Sequence, residues 1–393
     1  MQTFDALVVG AGPIGLATAW RLAQQGLSVA VADPAAGRGA SWTAAGMLAP
    51  VTELTYGEEP LLALNLESAA RYPAFVSALG EFSRIDVGYR RSGTLVTAWD
   101  AADLAALRDL HQLQTSVGLD SQLLTGRSMR SLEPALSSGL PGGLWAADDH
   151  QVDPRRLHSA LLAAARGSGV TLFDVGVRRL VVERERVAAA ELDDGTRVGS
   201  RFSVLAAGAQ SAVVGGLPPH VRPPVRPVKG QTLRLRTDQA SQPMSRVIRG
   251  SVKGSAVYVV PREDGEVVLG ASSEEAGFDV RPRTGAVYDL LRDALALLPG
   301  LGELTWVEVS TGLRPGSPDN APLIGAAELD GLIIATGHFR NGVLLTPVTA
   351  DVVTSLVIGT QFAAETTFTP GLDLARFSPS RFANHRSRGE SSP

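Results

Sequence analysis

The hydrophobic residues at the start of the chain follow the pattern of a strand, a helix and a second strand in turn. Residues 6–9 form a short apolar run of the kind found in buried parallel strands. Apolar residues then recur at helical spacing over residues 16–23, and Gly26 follows as a C-cap. Residues 27–32 repeat the strand pattern and end at Asp33. The pattern therefore predicts a β–α–β unit at this end of the chain.

Alternating and helical hydrophobic patterns continue through the rest of the chain. They predict helices at residues 58–83 (broken at Pro73), 100–117, 154–166 after the N-cap Asp153, 283–298 and 346–358. They predict strands at residues 89–97, 170–173, 177–183, 187–192, 197–205, 231–236, 246–249, 256–261, 266–271, 304–311 and 332–335. Residues 217–227 contain five prolines and are predicted to form a stiff crossover between domains.

Glycines occur in the first β–α–β unit in the order G-x-G-x-x-G, at Gly10, Gly12 and Gly15. Gly10 would allow the tight turn, Gly12 would let the backbone approach a pyrophosphate, and Gly15 would let helix and strand pack closely. The pyrophosphate would lie at the helix N-terminus, where free N–H groups and the helix dipole favour an anion. Asp33 would accept hydrogen bonds from a ribose hydroxyl, which favours FAD or NAD over NADP.

Residues 38–50 follow the second predicted strand and are almost free of bulky side chains. Small side chains let a backbone pass close to a ligand. The segment is also Ala-rich and weakly polar, unlike a solvated surface loop. We therefore expect it to cover the cofactor.

Strand-rich and α/β stretches alternate along the chain, so the dinucleotide half is assembled from separate segments. We expect an α/β fold in which an FAD-binding Rossmann-like domain is interleaved with an antiparallel-sheet substrate domain. The predicted boundaries give residues 1–85, 145–217 and 305–370 to the FAD-binding domain and residues 86–144 and 218–304 to the substrate domain. Residues 371–393 are predicted to be a flexible tail. This interleaving favours a flavoprotein over a two-lobe NAD dehydrogenase.

Composition narrows the possible function classes. The 393 residues carry a net charge of −4, so no basic field points to nucleic acid or an anionic membrane surface. No apolar stretch approaches the ~18–20 residues of a membrane helix. The first strand begins too early for a signal peptide, so a cytoplasmic protein is expected.

The chain has no cysteine, which excludes a thioether-linked flavin, and its six histidines show no metal-ligand spacing, so no metal is expected. Without a G-x-S-x-G elbow or a P-loop, a bound cofactor would carry the chemistry.

Two arginines lie beside glycines at predicted strand ends. Arg314 is in S-T-G-L-R-P-G (310–316) and Arg340 is in T-G-H-F-R-N-G (336–342). A guanidinium pairs bidentately with a carboxylate, so a ligand role would imply a carboxylic acid substrate. The alternative is an ordinary surface or ion-pair role. For Tyr258, on an alternating strand, the alternative is a half-buried core position.

Six motifs together resemble those of a known family. They are G-A-G-P-I-G (10–15) with Asp33, A-S-W-T-A-A-G-M-L-A-P (40–50), Y-V-V-P-R (258–262), G-A-S-S-E-E-A-G-F-D (270–279), G-L-R-P-G (312–316) and G-H-F-R-N-G (337–342). The chain resembles glycine oxidase of thiamine biosynthesis (ThiO), one of the D-amino-acid-oxidase-like FAD enzymes. The resemblance implies non-covalent FAD and oxidative deamination of glycine or another small amine by O2. The products would be the imine or glyoxylate, ammonia and hydrogen peroxide, and the imine would supply thiamine thiazole synthesis.

The resemblance also implies the site residues. Arg314 would grip the substrate carboxylate, with Tyr258 and Arg340 beside it, and these three are the expected catalytic and substrate-binding residues. The expected cofactor-binding residues are Gly10, Gly12, Pro13, Ile14, Gly15, Asp33, Pro34, Ala40, Ser41, Ala45, Gly46, Met47, Val177, His338, Phe339, Arg340, Asn341, Gly342, Val343 and Leu344.

The expected partners are a small amino acid and O2, with neither nucleic acid nor membrane, and a homo-oligomer stays open. Three alternatives also stay open. The first is a sarcosine or D-amino acid oxidase, and the second is a flavin dehydrogenase that uses another electron acceptor. The third is a non-catalytic protein that binds a flavin or NAD.

Overall fold

The computed structural model describes residues 1–237, 244–359, 368–369 and 371–382. In these ranges the chain forms two eight-stranded sheets and one two-stranded ribbon.

The first sheet contains the N-terminal strand and is largely parallel. Its strands are β1 (Gln2–Val9), β2 (Val29–Ala32), β8 (Thr171–Phe173), β9 (Val177–Glu183), β10 (Arg186–Leu192), β11 (Arg197–Leu205), β17 (Leu323–Ala326) and β18 (Leu332–Thr336). They are ordered β17-β18-β11-β1-β2-β8, and β10 and β9 continue antiparallel from β11. The five strands from β18 to β8 run parallel. Their carboxyl ends therefore meet at one edge, where open α/β sheets bind ligands.

Helices cover one face of the first sheet. They are α1 (Pro13–Gln24), α3 (Glu59–Ser83), α6 (Pro154–Gly167) and α8 (Thr346–Ile358). Their apolar faces share one core with inward side chains of the sheet such as Val8, Val31 and Val204. Asp153 caps α6 as predicted, accepting hydrogen bonds from the N–H groups of Arg155 and Arg156. The opposite face of the sheet is covered by the β9–β10 hairpin and by residues 214–225.

The second sheet is antiparallel except for one parallel pair. In spatial order its strands are β16 (Thr305–Gly316), β12 (Arg226–Arg236), β15 (Glu266–Gly270), β14 (Ser255–Pro261), β13 (Val247–Val252), β4 (Thr94–Ala98), β6 (Gly142–Ala146) and β5 (Gln122–Thr125). The parallel pair is β13 with β4. Helix α7 (Thr284–Leu297) packs on one face, where Leu290 and Leu297 join a core with Leu233 and Leu269.

The remaining elements are short or peripheral. They are α2 (Ala40–Thr43), α4 (Ala101–Ser116), α5 (Gly126–Leu132), the ribbon of β3 (Met47–Leu48) with β7 (His150–Gln151), and 3-10 helices at Gly208–Ala212, Pro299–Glu303, Phe339–Asn341, Leu374–Phe377 and Pro379–Phe382. In the part of the chain that the structure describes, no helix is long and apolar enough to cross a membrane.

The predicted fold class is confirmed, and several element bounds match, α8 among them. The predicted break at Pro73 is wrong, because α3 continues through this residue. Strand β16 hydrogen-bonds to β12 in the second sheet, and β6 lies in the same sheet. The predicted boundaries gave residues 305–316 and 145–146 to the other domain, because an alternating pattern does not show which sheet a strand joins.

The predicted tail begins too early. Residues 371–382 contain two 3-10 helices, and Phe377 is buried in the core that contains α8. Arg381 also pairs with Asp319 at 2.9 Å. A buried aromatic ring, this ion pair and hydrogen bonds from Arg381 to the carbonyl oxygens of Ala321 and Pro322 hold the stretch, although it has no hydrophobic period. Residues 383–393 lie outside the described residues.

Candidate active site

The glycine-rich turn lies at the carboxyl edge of the first sheet, between β1 and α1. Gly10 has a φ of +107°, and a Cβ there would lie 2.5 Å from the carbonyl oxygen of Ala206, which follows β11. A Cβ on Gly15 would collide with the carbonyl oxygen of Gly10. A Cβ on Gly12, in contrast, would meet no atom within 4 Å among the described residues. Gly10 and Gly15 are therefore required by packing, whereas Gly12 faces open space at the start of α1.

Asp33 follows β2 and lies against the same turn. Its Oδ2 accepts a hydrogen bond from the Ala11 N–H at 2.7 Å, and its Oδ1 accepts one from the Ala35 N–H at 2.8 Å. Helix α1 begins with Pro13, and its first turn contains no acidic residue and no side-chain cap. The positive end of the helix is therefore free of carboxylates from its own sequence.

Val177 begins β9 close to the end of β2. A Cβ on the preceding residue, Gly176, would lie 3.6 Å from the Cγ of Pro34. The structure thus brings Val177 into the neighbourhood of Asp33 and Pro34, although they are far apart in sequence.

The small-residue segment 38–50 lies between the two sheets. Thr232 of β12 donates to the Thr43 carbonyl oxygen at 2.9 Å, and the guanidinium of Arg262 donates to the Ala45 carbonyl oxygen. The N–H of Val152 donates to the Gly46 carbonyl oxygen at 2.9 Å. Burial lowers the pKa of Arg262 to about 10, so it still carries its charge at neutral pH. Backbone carbonyls of the segment are therefore fixed by the second sheet and by Val152, which lies between β7 and α6, and Ala40, Ser41 and Met47 are held with them.

One row of residues crosses the second sheet on the face that this segment covers. Strand register aligns Arg249 with Tyr258, Tyr258 with Gly270, Gly270 with Thr232, and Thr232 with Ser310. A Cβ on Gly270 would collide with the Tyr258 hydroxyl, so the phenol lies directly over this glycine. Burial raises the pKa of Tyr258, although Arg314 and Arg249 act in the opposite direction.

Arg314 extends over the same face from the end of β16. A Cβ on Gly230 would collide with its guanidinium, and its Nη1 donates to the Ser272 carbonyl oxygen at 3.1 Å. Gly312 allows β16 to approach α2, since a Cβ there would lie 3.0 Å from the Cβ of Thr43. Among the described residues Arg314 forms no ion pair with a carboxylate, so most of its N–H donors are available to a ligand.

The segment 337–344 follows β18 and leads into α8. His338 forms an isolated bridge with Gly316, which places the segment beside the end of β16. Its side chain is 3% exposed and contacts the Thr349 hydroxyl at 3.0 Å. Burial lowers the pKa of His338 to about 3, so it is neutral. Phe339 has a φ of +46°, and this turn leads Asn341, Gly342, Val343 and Leu344 towards the start of α8.

Arg340 is held by two carboxylates. Its Nε lies 2.6 Å from Oε2 of Glu53, and its Nη2 lies 2.5 Å from Oε2 of Glu58. Glu53 also contacts Nη1 of Arg249 at 2.7 Å through its Oε1. Burial acts to raise the pKa of Glu53, but Arg249 and Arg340 outweigh it and lower the pKa. Arg340 is therefore ion-paired with two carboxylates, whereas Arg314 has no such partner among the described residues.

Sequence reasoning missed Glu53, Arg249 and Asp149. Buried Asp149 accepts hydrogen bonds from the N–H groups of Val51 and Thr52, at 2.9 and 2.8 Å, and so fixes the backbone that carries Glu53. The only available signal was the position of Glu53, just after the small-residue segment. The pairing of β13 with β14, which places Arg249 beside Tyr258, is not visible in a hydrophobic pattern.

A parallel sheet with a glycine-rich turn at its carboxyl edge, faced by a second sheet, defines a dinucleotide-binding protein of two interleaved parts. Comparison with known proteins identifies the family. Residues 5–356 match the FAD dependent oxidoreductase family (DAO). The chain belongs to this family, and FAD is its cofactor.

Individual relatives extend this likeness. The chain is 34% identical, over 97% of its length, to the bifunctional protein ThiO/ThiG of Synechocystis sp.. It spans about half the length of the ThiO/ThiG relatives that it matches. It is 32% identical to a glycine oxidase of Geobacillus kaustophilus over 96% of this chain and 97% of the relative.

Solved structures show the same likeness. The crystal structure of glycine oxidase from Geobacillus kaustophilus superposes with a TM-score of 0.86 at 31% identity, covering 97% of this chain and 99% of the other. Iminodiacetate oxidase from Chelativorans sp. superposes with a TM-score of 0.84 at 26% identity, covering 95% and 98%.

The residues present fit FAD. Gly12 leaves open space at the start of α1, where a pyrophosphate would meet the positive helix end. Asp33 stands at the end of β2, where a ribose would lie. The expected contacts of Ile14, Ala40, Ser41 and the other cofactor-binding residues stay predictions.

Proposed function

We propose that this protein is an FAD-dependent amino acid oxidase that acts on glycine or another small amine bearing one carboxylate. The observation that carries the proposal is Arg314, whose guanidinium lies over Gly230 beside Tyr258 without a carboxylate partner among the described residues. A partly buried guanidinium with free donors matches a carboxylate bidentately. Relatives named glycine oxidase support the substrate class.

In this proposal the part built on the first sheet, with residues 1–85, 147–217 and 317–359, holds the cofactor, and the second sheet holds the substrate. Bound FAD would supply the acceptor for a hydride from the substrate α-carbon, and transfer of the electrons to O2 would give hydrogen peroxide. Arg314 orients the substrate through its carboxylate, and the Tyr258 hydroxyl lies beside that carboxylate. Arg340 borders the same space while it is held by its two glutamates.

No side chain of this row is placed to act as a general base. Tyr258 keeps its proton because burial raises its pKa, and Arg249 and Arg314 are cations. The reaction needs no protein base if the amine binds in its neutral form, because the lone pair then assists departure of the hydride. The N-terminus of α8 lies close to the segment 337–344, and its dipole would stabilise negative charge on the reduced cofactor.

The relatives named ThiO/ThiG also support a place in thiamine biosynthesis, where the imine product would supply thiazole synthesis. The rival assignments are a sarcosine or D-amino acid oxidase and a dehydrogenase that uses another acceptor. A non-catalytic flavin-binding protein would have no use for Arg314.

A peroxide assay on the purified holoprotein tests the proposal. Glycine, sarcosine and D-alanine are supplied at equal concentrations in air-saturated buffer, and peroxide is measured with a coupled peroxidase. We expect oxidation of glycine, with oxygen consumption equal to the peroxide formed. Reduction of an artificial dye without peroxide would identify a dehydrogenase, and no turnover with any amine would contradict the proposal. Acid precipitation should release all of the FAD into the supernatant, because the chain has no cysteine for a thioether link.

A further inference from the structure

Three arginines surround the proposed substrate space, and two of them are neutralised. Arg249 and Arg340 share Glu53, whose two carboxylate oxygens contact one guanidinium each at 2.7 and 2.6 Å. Glu58 forms a second ion pair with Arg340. Arg314 is the arginine of the three without a carboxylate partner in the described ranges.

Glu53 is built into the site and is not a mobile surface group. Its side chain is 11% exposed, and the backbone before it is fixed by the two hydrogen bonds to Asp149. Arg249 is anchored on the same segment, since its Nη1 also donates to the Thr52 hydroxyl at 3.0 Å. The carboxylate therefore stays between the two guanidinium groups when a substrate enters.

We propose that Glu53 sets substrate specificity by neutralising Arg249 and Arg340, so that the site accepts amines with one carboxylate and rejects amines with two. The inference rests on the proposed function, because it assumes that Arg314 receives the first carboxylate. A second carboxylate would meet Glu53, and a like charge at close range in a partly buried site opposes binding. With Glu53 neutral, Arg249 beside Tyr258 would be free to receive that group.

The test compares two substrates that differ by one carboxylate. Sarcosine is N-methylglycine and iminodiacetate is N-carboxymethylglycine, so they share the reacting carbon and the amine. We expect the wild-type holoenzyme to prefer sarcosine in kcat/KM. In Glu53→Gln the ratio of kcat/KM for iminodiacetate to that for sarcosine should rise roughly tenfold or more, with most of the change in KM for iminodiacetate. Glu58→Gln should shift the ratio in the same direction by less, because Glu53 still pairs with Arg340.

The matched control is Glu191→Gln. Glu191 pairs with Arg179 at 2.7 Å on the β9–β10 hairpin, so this variant changes the net charge equally but away from the site. Its substrate ratio should stay that of the wild type. A Glu53→Gln ratio within twofold of wild type, in protein with a normal flavin spectrum, would overturn the proposal. So would a wild type that oxidises iminodiacetate as well as sarcosine.

A binding measurement separates this inference from the proposed function. Acetate and malonate are titrated into each holoprotein, and their Kd values are taken from the perturbation of the flavin absorbance. The preference should shift towards malonate in Glu53→Gln, whether or not any amine is oxidised. An unchanged preference would refute the inference, whereas a shift without turnover would refute only the proposed function. If Glu53→Gln does not yield holoprotein, Glu58→Gln decides the outcome. The same two ratios are measured, kcat/KM for iminodiacetate relative to sarcosine and Kd for malonate relative to acetate.

Discussion

Replacement of Arg314 by alanine is the sharpest test of the site. Among the described residues Arg314 makes one hydrogen bond, to the Ser272 carbonyl oxygen, and its guanidinium lies near enough to Tyr258 to act on the pKa of the phenol. Arg314→Ala would leave a bound carboxylate without its partner in a partly desolvated site. Loss of such a charge pair typically costs about 3–5 kcal/mol. This corresponds to a loss of roughly a hundred- to several-thousand-fold in kcat/KM.

Peroxide production under steady-state conditions measures this loss, with kcat and KM determined separately. The flavin spectrum and FAD content should stay those of the wild type, because the glycine-rich turn lies on the other sheet. Arg314→Lys should recover only part of the activity, since an ammonium does not reproduce the bidentate geometry. Removal of the single hydrogen bond to Ser272 should lower stability by only about 1 kcal/mol. If Arg314→Ala oxidised glycine within a few-fold of wild type, the reasoning would be wrong and Arg340 would become the candidate anchor.

Three further predictions concern the cofactor side. Gly12→Ala should weaken FAD binding without changing the melting temperature of the apoprotein. Gly15→Ala should lower the melting temperature because the added Cβ collides with Gly10. Equal melting temperatures for the two variant apoproteins would contradict this. Asp33→Ala should weaken FAD by about 1–3 kcal/mol in a fluorescence titration of the apoprotein, with substrate KM at saturating FAD nearly unchanged; a large rise in KM would mean that Asp33 is misplaced. Because the folded pKa of His338 is about 3 and its ordinary value is 6.5, the unfolded chain binds the extra proton first as pH falls. As the pH falls below 6.5, the unfolding free energy of wild type should therefore decrease by up to about 1.4 kcal/mol per pH unit relative to that of His338→Gln. If the unfolding free energies of the two proteins, measured with urea, changed in parallel with pH, the reasoning would be refuted.

Local chemistry made part of this protein predictable. The roles of Gly10, Gly12 and Gly15 follow from the geometry of one short turn. The bounds of α8 follow from Pro347 near its start and Gly359 at its end. These features depend on neighbours in sequence, so the sequence alone contains them.

Features that depend on distant partners were not predictable. Glu53 and Arg249 meet only because β13 and the segment after β3 are brought together by the second sheet. Strand β16 has an ordinary alternating pattern, and only its long pairing with β12 shows which sheet it joins. Phe377 is one buried ring in a stretch without periodicity, so tertiary packing and not pattern holds it.

The strand order of the first sheet has a consequence for the synthesis of the protein. Strand β1 is made first, but its neighbour β11 ends at Leu205, and the next strand, β18, ends at Thr336. At a synthesis rate of about 5–20 residues per second, β11 is complete on the order of ten seconds or more after β1. Strand β18, which pairs with β11, is complete later still. During this interval the apolar strand has an unpaired edge, and the turn at Gly10 lacks the wall formed by Ala206. Such non-local pairing makes folding slow. FAD would therefore not template the earliest steps of folding, since the wall of the glycine-rich turn at Ala206 is in place only after β11 has been made.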